Sequence, residues 1–184
     1  MAAASSSRWQ RAAISACAPL KSIAVFVNFR KTMLYIAHRG NLSGSRPELE
    51  NTPGYIDAAL LSGFDAEVDV WLDVSGNPWL GHDAPDSRVT AEWLLERGGH
   101  LWCHAKNLSA LTWCLQKGLH VFSHDGDPHV LTSRGIVWAY PGAPLDGCCI
   151  AVMPERASYS PAVLRGAAGI CSDYVASLKR QHSA

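Results

Sequence analysis

Two histidines and an arginine with the chemistry of a catalytic site lie within residues 34–83. His38 ends the apolar run LYIAH and is followed by Arg39, while His82 ends a second run, NPWLGH. Imidazole titrates near neutral pH, so either histidine suits proton transfer. A guanidinium suits bidentate contact with a phosphate or a carboxylate. Taken singly, each residue has a simpler interpretation, as a structural histidine or as the partner of Glu50 in an ion pair.

Two carboxylates, Glu67 and Asp69, stand two residues apart in the apolar run DAEVDVW. Alternate side chains of a strand point to the same face, so these two lie side by side while Val68 points away. Inward carboxylates repel each other and are costly to bury unpaired. A hard cation such as Mg²⁺ or Ca²⁺ removes the repulsion, because both ions prefer oxygen ligands. In isolation, an ordinary solvated strand face explains the pair better.

Composition excludes several classes of protein. The chain has 184 residues, of which 48% are hydrophobic and seven are tryptophan, so we expect one folded domain rather than a disordered chain. Residues 1–33 hold five basic residues and no acid, which leaves 11 basic and 16 acidic residues in 34–184. The net negative charge of residues 34–184 argues against nucleic-acid binding, which needs a basic face. No apolar run approaches the roughly 20 residues that span a bilayer.

Residues 1–33 form a separate segment by composition. They are rich in Ala, Ser and Arg, which is typical of an organelle transit peptide, and the favoured alternative is a disordered extension before a domain over 34–184. None of the six cysteines forms a C-x-x-C pair. Cysteine used as a small hydrophobic residue predicts a reduced, cytoplasmic protein, with organelle targeting by the extension as the alternative.

Short apolar runs alternate with helical segments from Leu34 onward. Their continuous hydrophobic character predicts parallel strands buried on both faces. The predicted strands are 34–38, 65–71, 100–104, 119–123, 136–139, 148–153 and 169–172. Good N-cap residues, several followed by proline, predict helices after Thr52, Thr90, Asp127 and Ser160, and a further helix covers 108–117.

Repeated strand–helix–strand units imply a parallel sheet, which is either open or closed into a barrel. No G-x-G-x-x-G motif or P-loop follows the first strand, so a nucleotide-binding open sheet is not indicated. Polar residues follow several strands instead, as catalytic residues do in a (β/α)8 barrel. The sequence therefore predicts an α/β fold of the TIM-barrel type that is small and, with seven strands, short of one strand–helix unit. The polar positions are His38-Arg39, Glu67/Asp69, His104/Lys106, 123–125 and Ser172-Asp173.

Four motifs in this order resemble a known family. They are His38-Arg39-Gly40, Glu50-Asn51-Thr52, Glu67-x-Asp69 and Gly81-His82-Asp83. Together they resemble the glycerophosphodiester phosphodiesterase family, one of the phosphatidylinositol-phospholipase-C-like phosphodiesterases. Downstream, 101–107 (LWCHAKN) resembles the family strand that ends Glu-x-Lys, and 169–174 (GICSDY) resembles its closing strand. The clear match covers 34–86 and becomes patchy from residue 100.

The resemblance implies a TIM barrel that hydrolyses a phosphodiester, of the glycerophosphodiester kind, with a divalent metal ion. His38 and His82 would be its acid/base pair, and Arg39 would act with them. Arg39 and Lys106 would bind the substrate phosphate. The implied partner is thus a small-molecule phosphodiester.

The resemblance also implies the metal ligands. Glu67 and Asp69 would hold Mg²⁺ or Ca²⁺, and Glu50 would complete the site by positioning Arg39 or a coordinated water. Where the family supplies a third carboxylate, this chain has His104. Imidazole suits Mn²⁺ or Zn²⁺ better than Mg²⁺ or Ca²⁺, so His104 joins the predicted metal set with those ions as alternatives.

Two other functions remain compatible with these residues. The first is a barrel that binds a ligand or a metal but has lost catalysis, since His104 replaces a carboxylate and the barrel is short. The second is a different barrel hydrolase with a His-rich transition-metal site. The sequence does not indicate an oligomeric state.

Overall fold

A computed structural model describes residues 32–183 of the chain. The predicted extension or targeting segment therefore lies almost entirely outside the described residues. The elements in chain order are β1 (Leu34–His38), α1 (Pro53–Leu61), β2 (Asp65–Leu72), β3 (Pro78–Leu80), β4 (Ser87–Arg88), α2 (Ala91–Arg97), β5 (Leu101–Ala105), α3 (Leu108–Gln116), β6 (Val121–Phe122), β7 (His129–Leu131), β8 (Val137–Ala139), β9 (Cys149–Val152), α4 (Pro161–Gly166), β10 (Gly169–Ser172) and α5 (Val175–Ser183).

One mixed sheet contains all ten strands. Seven of them are parallel neighbours in the order β6-β5-β2-β1-β10-β9-β8. β7 pairs antiparallel with β8 at one end, and the β3–β4 hairpin pairs antiparallel with the end of β2. The seven predicted strands correspond to the seven parallel ones, while β3, β4 and β7 had no prediction.

The predicted TIM barrel is wrong. The sheet is curled into a half-barrel, strands and helices do not alternate through it, and residues 32–183 contain only five α-helices. The physical reason is connection length, because a helical crossover between parallel strands takes a dozen or more residues. Only residues 140–148 separate the parallel strands β8 and β9, and the connection between β6 and β8 holds the antiparallel strand β7 in place of a helix. The helix predicted after Asp127 is accordingly wrong, since the chain enters β7 there.

The curl brings side chains from both ends of the sheet together. The Trp102 ring on β5 lies 5.6 Å from the Trp138 ring on β8, and the Phe122 ring on β6 lies 4.7 Å from that of Trp138. The Ser133 N–H also donates to the Val121 carbonyl at 2.8 Å. Within the described residues, no strand ladder joins β6 to β7 or β8. Packed aromatic side chains therefore fill the gap that a closed ladder would cover.

The helices bury the outer face of the sheet. Val68 and Val70 are fully buried among residues of α1, α2 and α3, and each such side chain contributes about 1.5–3 kcal/mol relative to an exposed one. Since strand side chains alternate, Glu67 and Asp69 point to the concave side. The same alternation on β5 turns His104 inward and Cys103 toward the helices. Among the described residues, no helix is long and apolar enough to cross a membrane.

Candidate active site

A cavity of about 420 Å³ opens at the carboxyl ends of the parallel strands. The register of the sheet explains the grouping, because His38 is aligned with Glu67 and Asp69 is aligned with His104 on adjacent strands. Six of the residues predicted for the site line this cavity, and Asp69 is fully buried behind them. The six are His38, Arg39, Glu67, His82, His104 and Lys106.

His38 is fixed by a carboxylate from the closing strand. Its Nδ1 lies 2.7 Å from Asp173 Oδ1, and Asn41 Nδ2 donates to the same oxygen at 2.9 Å. Burial by itself lowers the pKa of His38, but the hydrogen bond to Asp173 and the charge of Glu67 outweigh it, so the pKa is raised. Burial acts to raise the pKa of Asp173, but the hydrogen bond and the charge of His38, together with the hydrogen bond from Asn41, outweigh it and lower the pKa. His38 is thereby held in one orientation and stabilised in its protonated form.

Asp173→Asn is expected to destabilise the fold by about 1.5–3 kcal/mol at pH 6, the usual range for a hydrogen bond to a charged group. His38 has a raised folded pKa, so its contribution is fully present below its ordinary value of 6.5 and is lost as the pH rises through the folded pKa. The cost should therefore shrink at pH 9, as measured by urea unfolding.

The matched control for this prediction is Asp83→Asn. His82 Nδ1 and Asp83 Oδ1 are also 2.7 Å apart, but the Asp83 side chain is 94% exposed. An exposed pair of this kind contributes about 1 kcal/mol or less. Equal losses in the two variants, or a loss in Asp173→Asn that does not change between pH 6 and pH 9, would contradict the account of His38.

Arg39 adopts a strained backbone conformation, with φ of 52°. This left-handed geometry costs about 1–3 kcal/mol in a residue other than glycine and persists only where neighbours enforce it. Here the Arg39 N–H donates to Glu67 Oε2 at 3.2 Å, and the Arg39 carbonyl accepts from Asn51 N–H at 3.2 Å. The conformation turns the guanidinium toward the carboxylates of the site, where it contacts both Glu50 and Asp69.

Glu50 lies behind Arg39. Its Oε2 accepts from Arg39 at 3.2 Å, and its Oε1 accepts from Asn41 Nδ2 at 2.8 Å and from Ser45 Oγ at 2.6 Å. Burial acts to raise the pKa of Glu50, but these hydrogen bonds outweigh it and lower the pKa. The geometry suits the predicted positioning of Arg39, whereas the cluster of possible metal ligands contains Glu67, Asp69 and His104 but not Glu50.

Asp69 is contacted by two cationic side chains and an imidazole. Its Oδ2 lies 3.0 Å from Arg39 Nε, and its Oδ1 lies 2.9 Å from His104 Nδ1 and 3.5 Å from Lys106 Nζ. Asn51 Nδ2 also donates to Oδ2 at 2.9 Å. Burial acts to raise the pKa of Asp69, but His104, Arg39 and Asn51 together hold it far below its ordinary value. Despite these contacts, Oδ1 receives no hydrogen bond of good geometry from the described residues.

The pKa of Glu67 is shifted in the opposite direction. Glu67 is 3% exposed, and burial together with the nearby charge of Asp69 raises its pKa. One donor atom from each of Glu67, Asp69 and His104 lies within 4.8 Å of the others. A repelled carboxylate beside a buried, poorly bonded carboxylate oxygen is the kind of donor set that a divalent cation satisfies. These three residues therefore fit the predicted metal site.

His82 reaches the same cavity from the loop after β3. Gly81 makes this possible, because its N–H donates to the Asp69 carbonyl at 3.2 Å while the chain turns with φ of 152°. A Cβ at Gly81 would lie 1.9 Å from the Ala84 carbonyl oxygen, so another residue would displace the loop. The His82 side chain is 44% exposed. It is thus the less restrained of the two histidines.

Several residues of the site had no predicted role. Asp173 was noted only as a polar strand end, and Asn51 only as part of a motif. Tyr140 had no prediction, while His124 was noted at a polar strand end as a residue that could complete a transition-metal site, with a solvated loop as the favoured alternative. The two rings form a wall of the cavity, with centroids 3.7 Å apart and nearly parallel planes. Burial and the neighbouring His104 lower the pKa of His124. The signal available in the sequence was the placement of Asp173 and His124 directly after apolar runs, whereas Asn51 follows the polar segment RPELE.

Comparison of the chain with protein-family models, curated proteins and solved structures gives no significant match.

Proposed function

We propose that this protein hydrolyses a phosphodiester with the help of a divalent metal ion. The observation that supports this most strongly is one cavity that brings together two histidines, a three-residue donor cluster and two cationic side chains. Each component matches a need of the reaction: proton transfer, charge stabilisation and anion binding.

The two histidines would divide the proton transfers. One removes a proton from the attacking hydroxyl or water, and the other protonates the departing alkoxide. The pKa of His38 is raised and Asp173 orients its ring, so His38 suits the role of the general acid. The His82 side chain is more exposed, so it suits the role of the general base that takes a proton from water or from the attacking hydroxyl. The proposed assignment therefore follows from the different restraint of the two rings.

Glu67, Asp69 and His104 would hold the metal ion, which when bound offsets negative charge on the phosphate oxygens in the transition state. Arg39 and Lys106 would contact the phosphate. Both cations contact Asp69 in the structure, so they can turn to a substrate anion only if the charge of Asp69 is balanced from another source. Metal and phosphate are thus expected to favour each other's binding.

A second candidate is a binding module without catalysis. It is supported by the same contacts, because Asp69 already contacts the Arg39 and Lys106 cations and the His104 imidazole without a metal ion. It is also supported by the imidazole at position 104, which weakens a site for Mg²⁺ or Ca²⁺. This candidate predicts binding of metal or phosphate with no turnover of any diester.

The test is a panel of diesters, both aryl and glycerophosphodiester, assayed with Mg²⁺, Ca²⁺, Mn²⁺, Zn²⁺ or EDTA. Turnover is expected with metal and none with EDTA, and His38→Ala should lower kcat by about 10²–10⁴-fold, the usual contribution of general acid–base catalysis. His100→Ala is the control, because His100 has a 71% exposed side chain and precedes β5, away from the cavity.

The outcomes separate the candidates. Turnover that survives EDTA or His38→Ala contradicts the proposed mechanism. Metal binding without turnover across the panel favours the binding module. Activity with Zn²⁺ alone, together with stoichiometric zinc in the purified protein, favours a transition-metal hydrolase of the kind that His104 allows.

A further inference from the structure

A second group of metal-ligating side chains lies beside the first residue of β9, away from the candidate active site. Asp146, Cys148 and Cys149 lie in the turn that leads into β9, and one donor atom from each lies within 4.8 Å of the others. Cys149 is the first residue of β9, whereas His38 is the last residue of the parallel strand β1. Strand direction therefore puts this turn and the candidate active site at opposite ends of the parallel strands.

Both thiols converge on one carboxylate oxygen. Cys148 Sγ lies 2.8 Å and Cys149 Sγ lies 3.3 Å from Asp146 Oδ1. Consecutive side chains usually diverge along a strand, so this convergence needs the turn that precedes β9. The hydrogen bonds with Cys148 lower the pKa of Asp146, and the carboxylate in turn raises the pKa of the Cys148 thiol to about 11. The thiol protons of Cys148 and Cys149 therefore lie between the two sulfur atoms and the Asp146 oxygen, which are the three potential ligand atoms.

The backbone fixes the three donors before any ligand arrives. The Cys148 N–H donates to Asp146 Oδ1 at 2.9 Å, and the Cys149 N–H donates to the Asp146 carbonyl at 3.1 Å. The carbonyls of Cys148 and Cys149 accept from Val137 and Ala168 at 3.0 and 2.9 Å. A turn held in this way loses little entropy when it binds an ion.

Apolar packing lies on the inner side of the turn, and solvent reaches its outer side. Cys149 is buried with Ala139 and Ala143, and Leu145 packs against them. Asp146 is exposed and Cys148 is half-buried, so an ion can approach. A dry inner wall strengthens the attraction between a cation and thiolates, because the local dielectric constant is low.

We propose that Asp146, Cys148 and Cys149 form a site for a thiophilic divalent cation of the Zn²⁺ or Cd²⁺ type. Two thiolates and one carboxylate are ligands that such ions accept, while Mg²⁺ and Ca²⁺ prefer oxygen alone. Binding breaks the two S–H bonds, forms two metal–sulfur bonds and one metal–oxygen bond, and releases two protons to solvent. No oxidant or reductant takes part. The ion would clamp the turn to β9 as a structural element, independent of the proposed hydrolysis.

Titration of the full chain with Cd²⁺ under a phosphine reductant tests the proposal. A Cys17→Ser background removes the thiol that lies outside the described residues. We expect an ultraviolet thiolate-to-cadmium absorption that saturates at one ion per chain, together with a higher Tm. Cys148→Ser and Asp146→Asn should each weaken binding by about 10²-fold, and Asp86→Asn, an exposed carboxylate elsewhere, should not.

Two results would overturn the proposal. One is Cd²⁺ binding without the thiolate absorption, and the other is an absorption that persists unchanged in both Cys148→Ser and Asp146→Asn. Cys149→Ser alters a buried position, so Cys148→Ser and Asp146→Asn decide the outcome. The absorption requires sulfur ligands, so it does not report an ion held by Glu67, Asp69 and His104. Turnover of the diester panel by Cys148→Ser should equal that of the parent chain, which keeps this test separate from that of the proposed function.

Discussion

Glu67→Gln is expected to make the metal-free protein more stable while it removes metal binding. The pKa of Glu67 is raised by burial and by the charge of Asp69, so its ionised form costs free energy in the folded state. A glutamine keeps an oxygen that can accept from the Arg39 N–H but carries no charge. We expect a gain of about 1 kcal/mol in the free energy of unfolding, since removal of a poorly compensated buried charge is often stabilising.

The pH dependence of this gain has a defined sign. A group with a raised folded pKa contributes stability at low pH, and that contribution is lost as the pH rises through the folded pKa. The difference between Glu67→Gln and the parent chain should therefore be smallest in acid and largest near neutral pH. Urea unfolding in EDTA across this range measures it, with the exposed Glu48→Gln as control. Equal stability of Glu67→Gln and the parent at pH 7 would contradict the raised pKa.

The same substitution should affect catalysis far more. A bound metal ion supplies several kcal/mol of transition-state stabilisation, and about 4 kcal/mol corresponds to a factor of 10³ in rate. Glu67→Gln should therefore lose about 10³-fold in kcat and show much weaker metal binding by calorimetry. A variant that is more stable but inactive would be strong evidence that Glu67 serves function at the expense of stability.

Asp69→Asn is expected to have the opposite effect on stability. It leaves Arg39 and Lys106 next to a neutral group in a buried position, and loss of one partner from a buried ion pair typically costs about 3–5 kcal/mol. The lowered pKa of Asp69 gives the sign: its contribution is present above its ordinary value of 3.8 and is lost as the pH falls through the folded pKa. The full cost should therefore appear from mildly acid to neutral pH.

A double-mutant cycle isolates the origin of this cost. Lys106→Met removes one of the uncompensated charges, so Asp69→Asn should be less costly in that background. Unfolding in urea at pH 7 measures all four proteins, and Asp86→Asn controls for loss of an exposed carboxylate. If Asp69→Asn does not lower the free energy of unfolding, or if the effects of Asp69→Asn and Lys106→Met add without coupling, the cations around Asp69 are not the source of its contribution to stability.

Much of the local structure was predictable because it follows from local rules. Seven apolar runs became the seven parallel strands. Thr90 and Ser160 cap their helices, with side chains that accept from Trp93 and Val163. Thr52 begins a helix as expected, although its hydroxyl donates to the Leu49 carbonyl instead of capping. Chain closure was not predictable in this way, because it depends on the length of every connection at once.

The stretch from His38 to His82 shows where sequence reasoning ends. By itself the sequence determined which residues are chemically able to act, and the period of two placed Glu67 and Asp69 on one face. Only the tertiary structure brought Asp173 to His38, since 135 residues separate them along the chain. The tertiary structure also decided that the pKa of Glu67 is raised and that the pKa of Asp69 is lowered. Both residues carry a carboxylate and both lie in β2. Their pKa values differ because a pKa depends on nearby charges and on burial, and the folded chain as a whole sets both.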